Sequence, residues 1–431
     1  MLDIKLFREK PEIIRDNQIK RGLPKDDVDR VVVLDKEWRT LKEEVDSLRN
    51  KRNKLSQEVN NAKKAGKNID SILKDAKEIP KKIEEKENLM NEKKEKRDSL
   101  IKEIPSILDK SVPEGDASKN KVIKEFGKIT KSKFKLKDHA EILENMGLLD
   151  TKKASEVAGS RFFYLKGDLV KLNMAIINFA VDHLRKKGFT LLQPPYMLRR
   201  GALEGAITLG AFEEMIYKIE GEDLYLIGTA EHAINAYHLN EVLSPNELPL
   251  RYAGISPCFR KEAGSHGKDT KGIFRIHQFD KIEQFVFCKP EDSWKEFDLI
   301  LKNSEELLKA FGIPFRFVIL SSQDTGRVAT KTVDFEGWFP KQGAYRELGS
   351  CSNCLDYQAR RSNIKYQVGN DTAFVNTLNN TAIATQRMIV CLVENFQQKD
   401  GSIKIPKALW KYAGFKEIRA KKAINKKEKK K

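Results

Sequence analysis

The chain has 431 residues, of which 40% are hydrophobic and 33% are charged, so it can bury a sizeable core and is expected to form two or three domains. Its net charge of +18 favours a polyanionic partner. The odd number of cysteines argues against a disulfide framework, and the lack of 18 consecutive apolar residues excludes a transmembrane helix. Four acidic residues among the first sixteen argue against a secretory signal, so a cytoplasmic protein is the simplest interpretation.

Residues 1–110 are predicted to form an N-terminal domain with a long helical hairpin over about residues 28–105. Positions that alternate in steps of four and three, the pattern of a coiled-coil seam, occur at Leu34, Trp38, Leu41, Val45, Leu48, Arg52, Leu55, Val59 and Ala62. A second such series, with three basic members, occurs at Ile72, Ala76, Ile79, Ile83, Lys86, Met90, Lys93, Arg97, Leu100 and Ile104. The break between them is short, so an antiparallel hairpin is expected. Pro80 predicts a kink or a new helix start.

Positive charge is concentrated toward the turn of this hairpin. Residues 49–67 hold seven Lys or Arg against Glu58 alone. One interpretation is a solvated coiled coil that serves dimerisation, and the other is an arm whose tip half binds nucleic-acid phosphates. The residues that would make those phosphate contacts are Arg49, Lys51, Arg52, Lys54, Lys63, Lys64 and Lys67.

The rest of the chain changes character. Residues 111–125 mix Pro, Gly and Ser with charge and are predicted to be a linker. Residues 126–415 alternate short β-rich runs, such as FRFVIL (315–320), with amphipathic helices, which is typical of an α+β domain built on an antiparallel β-sheet flanked by helices. Residues 416–431 hold nine Lys or Arg against two Glu and are expected to be a disordered tail.

The stretch CFRKEAGSHGKDTKGIFRIHQF (258–279) predicts a strand that ends at Arg260, a loop rich in Gly and Lys, and a returning strand that carries Arg275 and Phe279. Arginine binds phosphate oxygens bidentately, and an aromatic ring stacks on a purine. The stretch therefore predicts a loop that closes over a triphosphate. The chain has no GxxxxGK[ST] and no strand-linked GxGxxG, so the nucleotide site must be built differently from a P-loop or a Rossmann fold.

Two further stretches carry chemistry. Arg387 lies at the start of an apolar helix, where its charge has no obvious local partner, and Glu347 and Ser350 are spaced so that both could share a divalent cation. Cys351 and Cys354 form one CxxC, but neither a second pair nor histidines at ligand spacing accompany it. Buried thiols are therefore favoured over a zinc site.

These residues resemble the class II aminoacyl-tRNA synthetases, whose catalytic domain is built on an antiparallel sheet. FRKE (259–262) with RIHQF (275–279) matches their motif 2, and the segment that ends at Arg387 matches motif 3. Within the class, the chain resembles the seryl-tRNA synthetase family in its helical hairpin and in GTAE (228–231), HQFDKIEQF (277–285), RELGSCSN (346–353), DYQARR (356–361) and TLNNTAIATQR (377–387). The resemblance covers nearly all of residues 1–415.

The resemblance implies ATP-dependent activation of L-serine and its transfer to tRNA(Ser), and it leaves tRNA(Sec) open as a second acceptor. The catalytic residues would be Arg260, Glu283 and Arg387. The serine pocket would be lined by Thr229, Ala230, Glu231, Arg260, Glu283, Asn379 and Thr381. ATP would be bound by Arg260, Lys261, Glu262, Arg275, Phe279, Glu347, Leu348, Gly349, Ser350 and Arg387, and Mg²⁺ would be bound by Glu347 and Ser350.

The resemblance also implies partners. A homodimer is expected, with GFTLLQPPYM (188–197) as motif 1, and the arm would bind tRNA(Ser), with no DNA or membrane partner. Two interpretations from other classes remain: a catalytically inactive, synthetase-like RNA-binding protein, and a coiled-coil interaction protein with a purely structural C-terminal domain. A sister specificity, such as threonine or proline, is a third alternative.

Overall fold

The computed structural model describes residues 1–66, 70–208, 215–262 and 271–419. The chain divides into two compact units, Met1–Pro105 and Ser106–Lys431. Within the described ranges, no helix is both long and apolar enough to cross a lipid bilayer. All five cysteines are buried and free, as the sequence predicts.

The first unit is helical, with α1 (Ile4–Glu9), α2 (Pro11–Lys20), α3 (Asp26–Lys64) and α4 (Asp70–Glu103). Pro11 begins α2, where its missing amide hydrogen removes no helical hydrogen bond. Three aspartates in the first turn of α3 interact favourably with the helix dipole. Helix α4 continues through Pro80, so the alternative of a new helix start at that residue is wrong.

The predicted antiparallel hairpin is confirmed by the packing of α3 on α4. Its seam buries Leu41 and Val45 of α3 and Ile79 and Ile83 of α4. Each basic position of the second series has an acidic partner across the seam: Lys86 with Glu44 (2.6 Å), Lys93 with Glu37 (2.7 Å) and Arg97 with Asp35 (2.9 Å). The seam tolerates three cations because a carboxylate of α3 lies opposite each of them.

Asp35 ties three helices of the first unit together. Its side chain is 2% exposed, and its carboxylate accepts hydrogen bonds from Arg8 (2.8 Å), Arg39 (3.1 Å) and Arg97 (2.9 Å). Burial raises the pKa of Asp35, but the hydrogen bonds and charges of Arg8 and Arg97 outweigh burial and hold this pKa below its usual value. The ionised carboxylate is therefore the form that the folded unit stabilises.

Replacement of Asp35 by alanine is expected to destabilise the first unit by about 3–5 kcal/mol, because it removes a buried carboxylate that binds three guanidinium groups and leaves the buried Arg97 with Asp98 (2.7 Å) as its remaining ion-pair partner. Asp46→Ala is the matched control, since Asp46 makes an exposed pair with Arg49 (3.8 Å) and its loss should cost at most about 1 kcal/mol. Guanidinium unfolding followed by helical circular dichroism measures both variants. Because the pKa of Asp35 is lowered, the difference from wild type should shrink as the pH falls through that pKa. Equal losses for the two variants at neutral pH would contradict this assignment.

The second unit is α+β, as the sequence predicts. Its helices are α5 (His139–Asn145), α6 (Thr151–Ala158), α7 (Asp168–Lys186), α8 (Arg200–Ala206), α9 (Ala230–Tyr237), α10 (Ser293–Phe311), α11 (Tyr357–Ser362), α12 (Thr385–Phe396) and α13 (Trp410–Ala413), with 3₁₀ turns at Ala117–Lys119, Pro290–Asp292 and Lys407–Leu409. Its strands are β1 (Lys121–Phe126), β2 (Leu149–Asp150), β3 (Tyr164–Leu165), β4 (Thr190–Leu192), β5 (Met197–Leu198), β6 (Tyr225–Leu226), β7 (Val242–Leu243), β8 (Leu250–Phe259), β9 (Gln278–Cys288), β10 (Phe315–Ile319), β11 (Lys331–Phe339), β12 (Ala344–Leu355), β13 (Lys365–Val368), β14 (Asp371–Phe374), β15 (Asn376–Ala384), β16 (Ile403–Lys404) and β17 (Glu417–Ile418).

One eight-stranded sheet organises this unit, in the order β1-β10-β11-β12-β15-β9-β8-β4. Neighbouring strands are antiparallel except β4, which pairs in parallel with β8. Strand β1 uses residues that the sequence predicted as linker, and β17, which pairs with β16, uses the start of the predicted tail. Residues 420–431 of that tail lie outside the described residues.

The two faces of the sheet have different roles because side chains alternate along each strand. On β9, Ile282 and Val286 belong to the large core that also contains α7, α10 and α12. Phe285 and Phe287 belong to a second core with α9 and α11. Side chains on this second face of β9 therefore point toward α9.

Candidate active site

Strands β8, β9 and β15 place the predicted site residues side by side. Phe279, Lys281 and Glu283 occupy alternate positions of β9 and so share one face. Thr381 of β15 pairs in register with Glu283. The sheet thereby collects, on adjacent strands, residues that are about 100 positions apart in the sequence.

The start of α9 lies against the same face. A Cβ on Gly254 of β8 would lie 2.8 Å from the Ala230 Cβ, so only glycine permits this close approach of helix and strand. Thr229 caps α9: its Oγ1 accepts a hydrogen bond from the Glu231 amide (3.3 Å). The same hydroxyl donates to Glu283 Oε2 (3.1 Å), which joins the helix start to β9.

We call the resulting group the carboxylate cluster and define it as Thr229, Glu231, Lys281, Glu283, Asn379 and Thr381. The Lys281 ammonium pairs with Glu283 Oε2 and lies 3.4 Å from Thr381 Oγ1. Asn379 Nδ2 donates to Glu231 Oε1 (3.0 Å). The sequence prediction missed Lys281, although its position two residues before Glu283 on an alternating strand could have indicated it.

Within this cluster, the pKa of Glu231 is strongly raised. Burial raises the pKa of Glu231 and the charge of Glu283 raises it further, to about 7, against the opposing effects of Lys281, Gln358 and Arg260. The charge of this carboxyl group therefore changes near neutral pH. A cationic ligand group would favour the ionised form, so ligand binding and proton release are coupled here.

Glu231→Gln is expected to change how the stability of the second unit depends on pH. Between the unfolded pKa near 4.5 and the folded pKa of about 7, the folded state keeps a proton that the unfolded state releases. The wild-type free energy of unfolding should therefore fall relative to that of the variant as the pH rises from 5 to 8, by at most about 1.4 kcal/mol per pH unit. Unfolding curves of both proteins at several pH values measure this, and a constant difference would contradict the raised pKa.

A second group of residues lines one cleft, which we call the arginine cleft: Arg260, Glu262, Arg275, Phe279 and Arg387. Arg275 Nη1 donates to Glu262 Oε2 (2.7 Å), and the Arg260 guanidinium lies 5.3 Å from the centre of the Phe279 ring. Arg260 Nε also donates to the Gly228 carbonyl (3.1 Å), so this side chain reaches the residue before the α9 cap. The prediction that Arg275 lies on the returning strand is wrong, because β9 begins only at Gln278.

Arg387 lies in the first turn of α12, as predicted, and does have a partner. Its Nη1 lies 3.0 Å from Glu347 Oε1 of β12, and its guanidinium lies 5.4 Å from the centre of the Phe274 ring. Burial raises the pKa of Glu347, but the charges of Arg387 and Arg260 outweigh burial and hold this pKa below its usual value. The acidic partners keep Arg275 and Arg387 extended toward the cleft.

The remaining residues predicted to bind ATP differ in the chemical groups that they can offer to a ligand. The Leu348 side chain is buried in the core. A Cβ on Gly349 would lie 2.5 Å from the Phe335 ring, so this position tolerates only glycine. Leu348 and Gly349 can therefore offer a ligand only backbone groups. Lys261 is exposed, with its ammonium 5.9 Å from the centre of the Tyr217 ring.

Glu347 and Ser350 fit a magnesium ion only in combination with ligand oxygens. Between Glu347 and Ser350, the register of β12 against β11 shifts by one residue. This bulge brings two side chains that are three positions apart to the same face of the sheet. Burial, followed by the charge of Glu347, raises the pKa of Asp334, which pairs with Ser350 across the strands. In the described ranges, no three His, Cys, Asp or Glu side chains form a metal-binding group. Mg²⁺ commonly completes such sparse sites with substrate phosphates.

Six of the seven predicted tRNA-binding residues lie on exposed positions of α3. Arg49 is paired with Glu87 of α4 (2.7 Å). The others on this helix are exposed and have no ion pair within the described part of the first unit: Lys51, Arg52, Lys54, Lys63 and Lys64. Lys67 lies outside the described residues.

The mainly antiparallel sheet, with arginines from a strand end and from a helix start over one cleft, is the arrangement of a class II aminoacyl-tRNA synthetase catalytic domain. Residues 215–396 match the tRNA synthetase class II core domain of the G, H, P, S and T enzymes, and residues 1–108 match the seryl-tRNA synthetase N-terminal domain.

Close relatives agree with these matches. The chain is 47% identical to the serine–tRNA ligase of Nitrosopumilus maritimus, across 96% of this chain and 99% of that protein. The crystal structure of seryl-tRNA synthetase from Pyrococcus horikoshii, complexed with ATP, has a TM-score of 0.94 at 46% identity and matches 98% of this chain and 100% of that one. A cytoplasmic serine–tRNA ligase from Naegleria fowleri, in complex with AMP, has a TM-score of 0.88 at 38% identity, with 98% and 99% covered. The chain belongs to the seryl-tRNA synthetase family, which confirms the predicted fold class, family and ligase activity.

Proposed function

We propose that this chain activates L-serine with ATP and transfers it to tRNA(Ser), with the arginine cleft and the carboxylate cluster acting as one site. The observation that carries this proposal is the position of Arg260. Its guanidinium lies beside Phe279 in the cleft and its Nε contacts the Gly228 carbonyl at the edge of the cluster. One charged group can therefore contact a nucleotide phosphate and an amino acid at the same time.

The first step is attack of the serine carboxylate on the α-phosphorus of ATP, with pyrophosphate as the leaving group. Arg260 would hold the α-phosphate and the serine carboxylate, and Phe279 would stack on the adenine with Glu262 nearby. Arg275 and Arg387 would contact the outer phosphates. In the second step a terminal ribose hydroxyl of the tRNA attacks the acyl carbon and AMP leaves. Neither step needs a side-chain nucleophile, so rate enhancement comes from positioning and from cations placed where charge develops.

The carboxylate cluster supplies the serine pocket. Glu231 would accept the ammonium group of serine, while Thr229, Glu283 and Thr381 would surround its hydroxyl. Glu283 is 1% and Thr381 5% exposed, so a ligand that lacks the hydroxyl would occupy this buried pocket without the hydrogen bonds that serine can make there. Alanine is rejected for that reason, and threonine must be rejected by shape.

Magnesium forms part of the same proposal. Glu347 and Ser350 would hold it together with phosphate oxygens, and when bound it would neutralise charge on the phosphates. Arg387 pairs with Glu347 (3.0 Å), so the guanidinium and the carboxylate would lie side by side, the first toward phosphate oxygens and the second toward the ion.

Arg260→Ala is expected to lower the rate of serine-dependent ATP–pyrophosphate exchange about 100- to 1000-fold, because a preorganised charge contact is lost. Arg185→Ala is the matched control, since Arg185 is exposed in the last turn of α7 and belongs to neither the arginine cleft nor the carboxylate cluster. Alanine and threonine are run in parallel with serine. Exchange that persists in Arg260→Ala, or wild-type exchange with threonine as fast as with serine, would contradict the proposal.

The arm provides the proposed tRNA contact. Five basic side chains of α3 near its end are exposed without ion pairs within the described ranges, which is the state expected of phosphate-binding residues. We further propose a homodimer through motif 1 (188–197), with each arm serving the partner's site. A cytoplasmic location is part of this proposal, because tRNA charging supplies translation there.

Simultaneous replacement of four tip lysines by alanine should raise the KM for tRNA about 10- to 100-fold and reduce its salt dependence, because phosphate contacts are lost. The four are Lys51, Lys54, Lys63 and Lys64. Pyrophosphate exchange, which needs no tRNA, should stay unchanged. The control replaces Lys36 and Lys42 in the N-terminal half of α3, which are also exposed. An equal rise in KM for tip and control variants would contradict a tip contact.

A further inference from the structure

Gln358 of α11 is fully buried, and both its amide nitrogen and its amide oxygen form hydrogen bonds. Its Nε2 donates to Glu231 Oε1 (2.8 Å) and to the Ala206 carbonyl (3.1 Å). Its Oε1 accepts a hydrogen bond from Thr377 Oγ1 of β15 (2.7 Å). This residue lies within DYQARR, but no role was predicted for it from the sequence.

These partners fix which way the amide points. A carbonyl can only accept, so Ala206 requires the nitrogen on its side, and the Thr377 hydroxyl is then left to donate to the oxygen. Gln358 therefore presents an N–H group, rather than a carbonyl, to Glu231. Rotation of the amide by half a turn would place two oxygens against each other at Ala206 and again at Glu231.

The carboxylate of Glu231 is consequently held at one oxygen. Oε1 receives both Gln358 and Asn379 (3.0 Å). Among the described residues no hydrogen bond reaches Oε2, which leaves this oxygen available to a ligand. Glu231 is only partly buried, so a small molecule can approach it.

We propose that Gln358, oriented by Thr377, is a positioning residue that fixes the Glu231 carboxylate so that Oε2 receives the ammonium group of the amino-acid substrate. Gln358 does not touch the substrate itself. This inference rests on the proposed serine-binding role of Glu231 and adds the element that holds it.

The electrostatic surroundings of Glu231 provide a readout for this role. The charged groups that face it are Glu283 and Lys281 of β9 and Arg260 beyond the end of β8, and the hydrogen bond from Gln358 adds to the two cations in lowering its pKa. The thiol of Cys354 lies on the far side of the Asn379 amide, at 3.6 Å from that nitrogen. Loss of the Gln358 hydrogen bond should therefore raise the pKa of Glu231, whereas a general loss of packing would have no such specific effect.

The test uses Gln358→Met in the full chain, which preserves length and volume but removes the donor. ATP–pyrophosphate exchange is measured from pH 6 to 9 with serine and ATP each varied. The KM for serine should rise about 10- to 100-fold, as expected for loss of a hydrogen bond to a charged group, while the KM for ATP stays within about twofold. In wild type, kcat/KM for serine should rise with pH through an apparent pKa near 7, and in the variant this inflection should move to higher pH.

Thr377 provides a second pair of variants that leave Gln358 in place. Thr377→Val removes the hydroxyl that orients the amide and should produce a smaller shift in the same direction, and Thr377→Ser should rescue it. Ser362→Ala is the structural control: it lies on the same helix and removes a buried hydrogen bond to Asn235 (2.6 Å) without contact to Glu231. This control should move neither the KM for serine nor the apparent pKa.

Failure of the positioning role can be distinguished from failure of the proposed function by Glu231→Gln. If this variant raises the KM for serine but Gln358→Met and Thr377→Val leave both KM and the pH profile unchanged, Gln358 has no positioning role. If Glu231→Gln leaves the KM for serine unchanged, Glu231 does not bind serine, and both its proposed role in the serine pocket and the positioning role of Gln358 are overturned. Equal effects of Ser362→Ala and Gln358→Met would also overturn the inference, because a structural change would then account for both.

Discussion

The in-register pairing of β8 with β9 is the constraint on which the site depends. Cys258 lies opposite Phe279 and Gly254 opposite Glu283, so Arg260 leaves the strand end beside Phe279 while α9 is drawn against Glu283. A slip of one residue would turn every side chain of β9 to the other face. Lys281 and Glu283 would then enter the apolar core now occupied by Ile282, and both the cleft and the cluster would disappear.

Paired charges keep this arrangement ready for substrate. In the arginine cleft, Arg275 is held by Glu262 and Arg387 by Glu347, so these two long cations are already ordered before phosphates arrive. Much of the side-chain entropy that phosphate binding would otherwise remove is lost during folding instead. Electrostatic stabilisation of a reaction is effective when the charges need little reorganisation, and these pairs provide that condition.

The features that the sequence predicted are those encoded by regular spacing or by a contiguous motif. The seam of α3 and α4 follows from repeated positions on single helices, and Arg260, Phe279 and Arg387 follow from short motifs. Lys281 was missed although its spacing from Glu283 on β9 could have indicated it, whereas Gln358 was missed because its contacts come from distant segments. The register of β15 against β9 shifts between Thr381 and Ile383, and that of β12 against β11 shifts near Glu347, so no counting along one strand reveals which side chains meet.

The pairing of buried charges explains both the stability of the first unit and the ability of the second unit to bind a cationic ligand. Across the seam of α3 and α4 each buried or partly buried cation has a carboxylate opposite it, as Arg97 has Asp35. In the carboxylate cluster Lys281 pairs with Glu283, but in the described part of the chain no cation lies within ion-pair distance of Glu231. Burial and the neighbouring acid therefore raise the pKa of Glu231 to about 7. An ammonium group bound at Glu231 would supply the missing counter-ion. The carboxylate that folding leaves without an ion-pair partner is therefore the one that can bind a substrate amine.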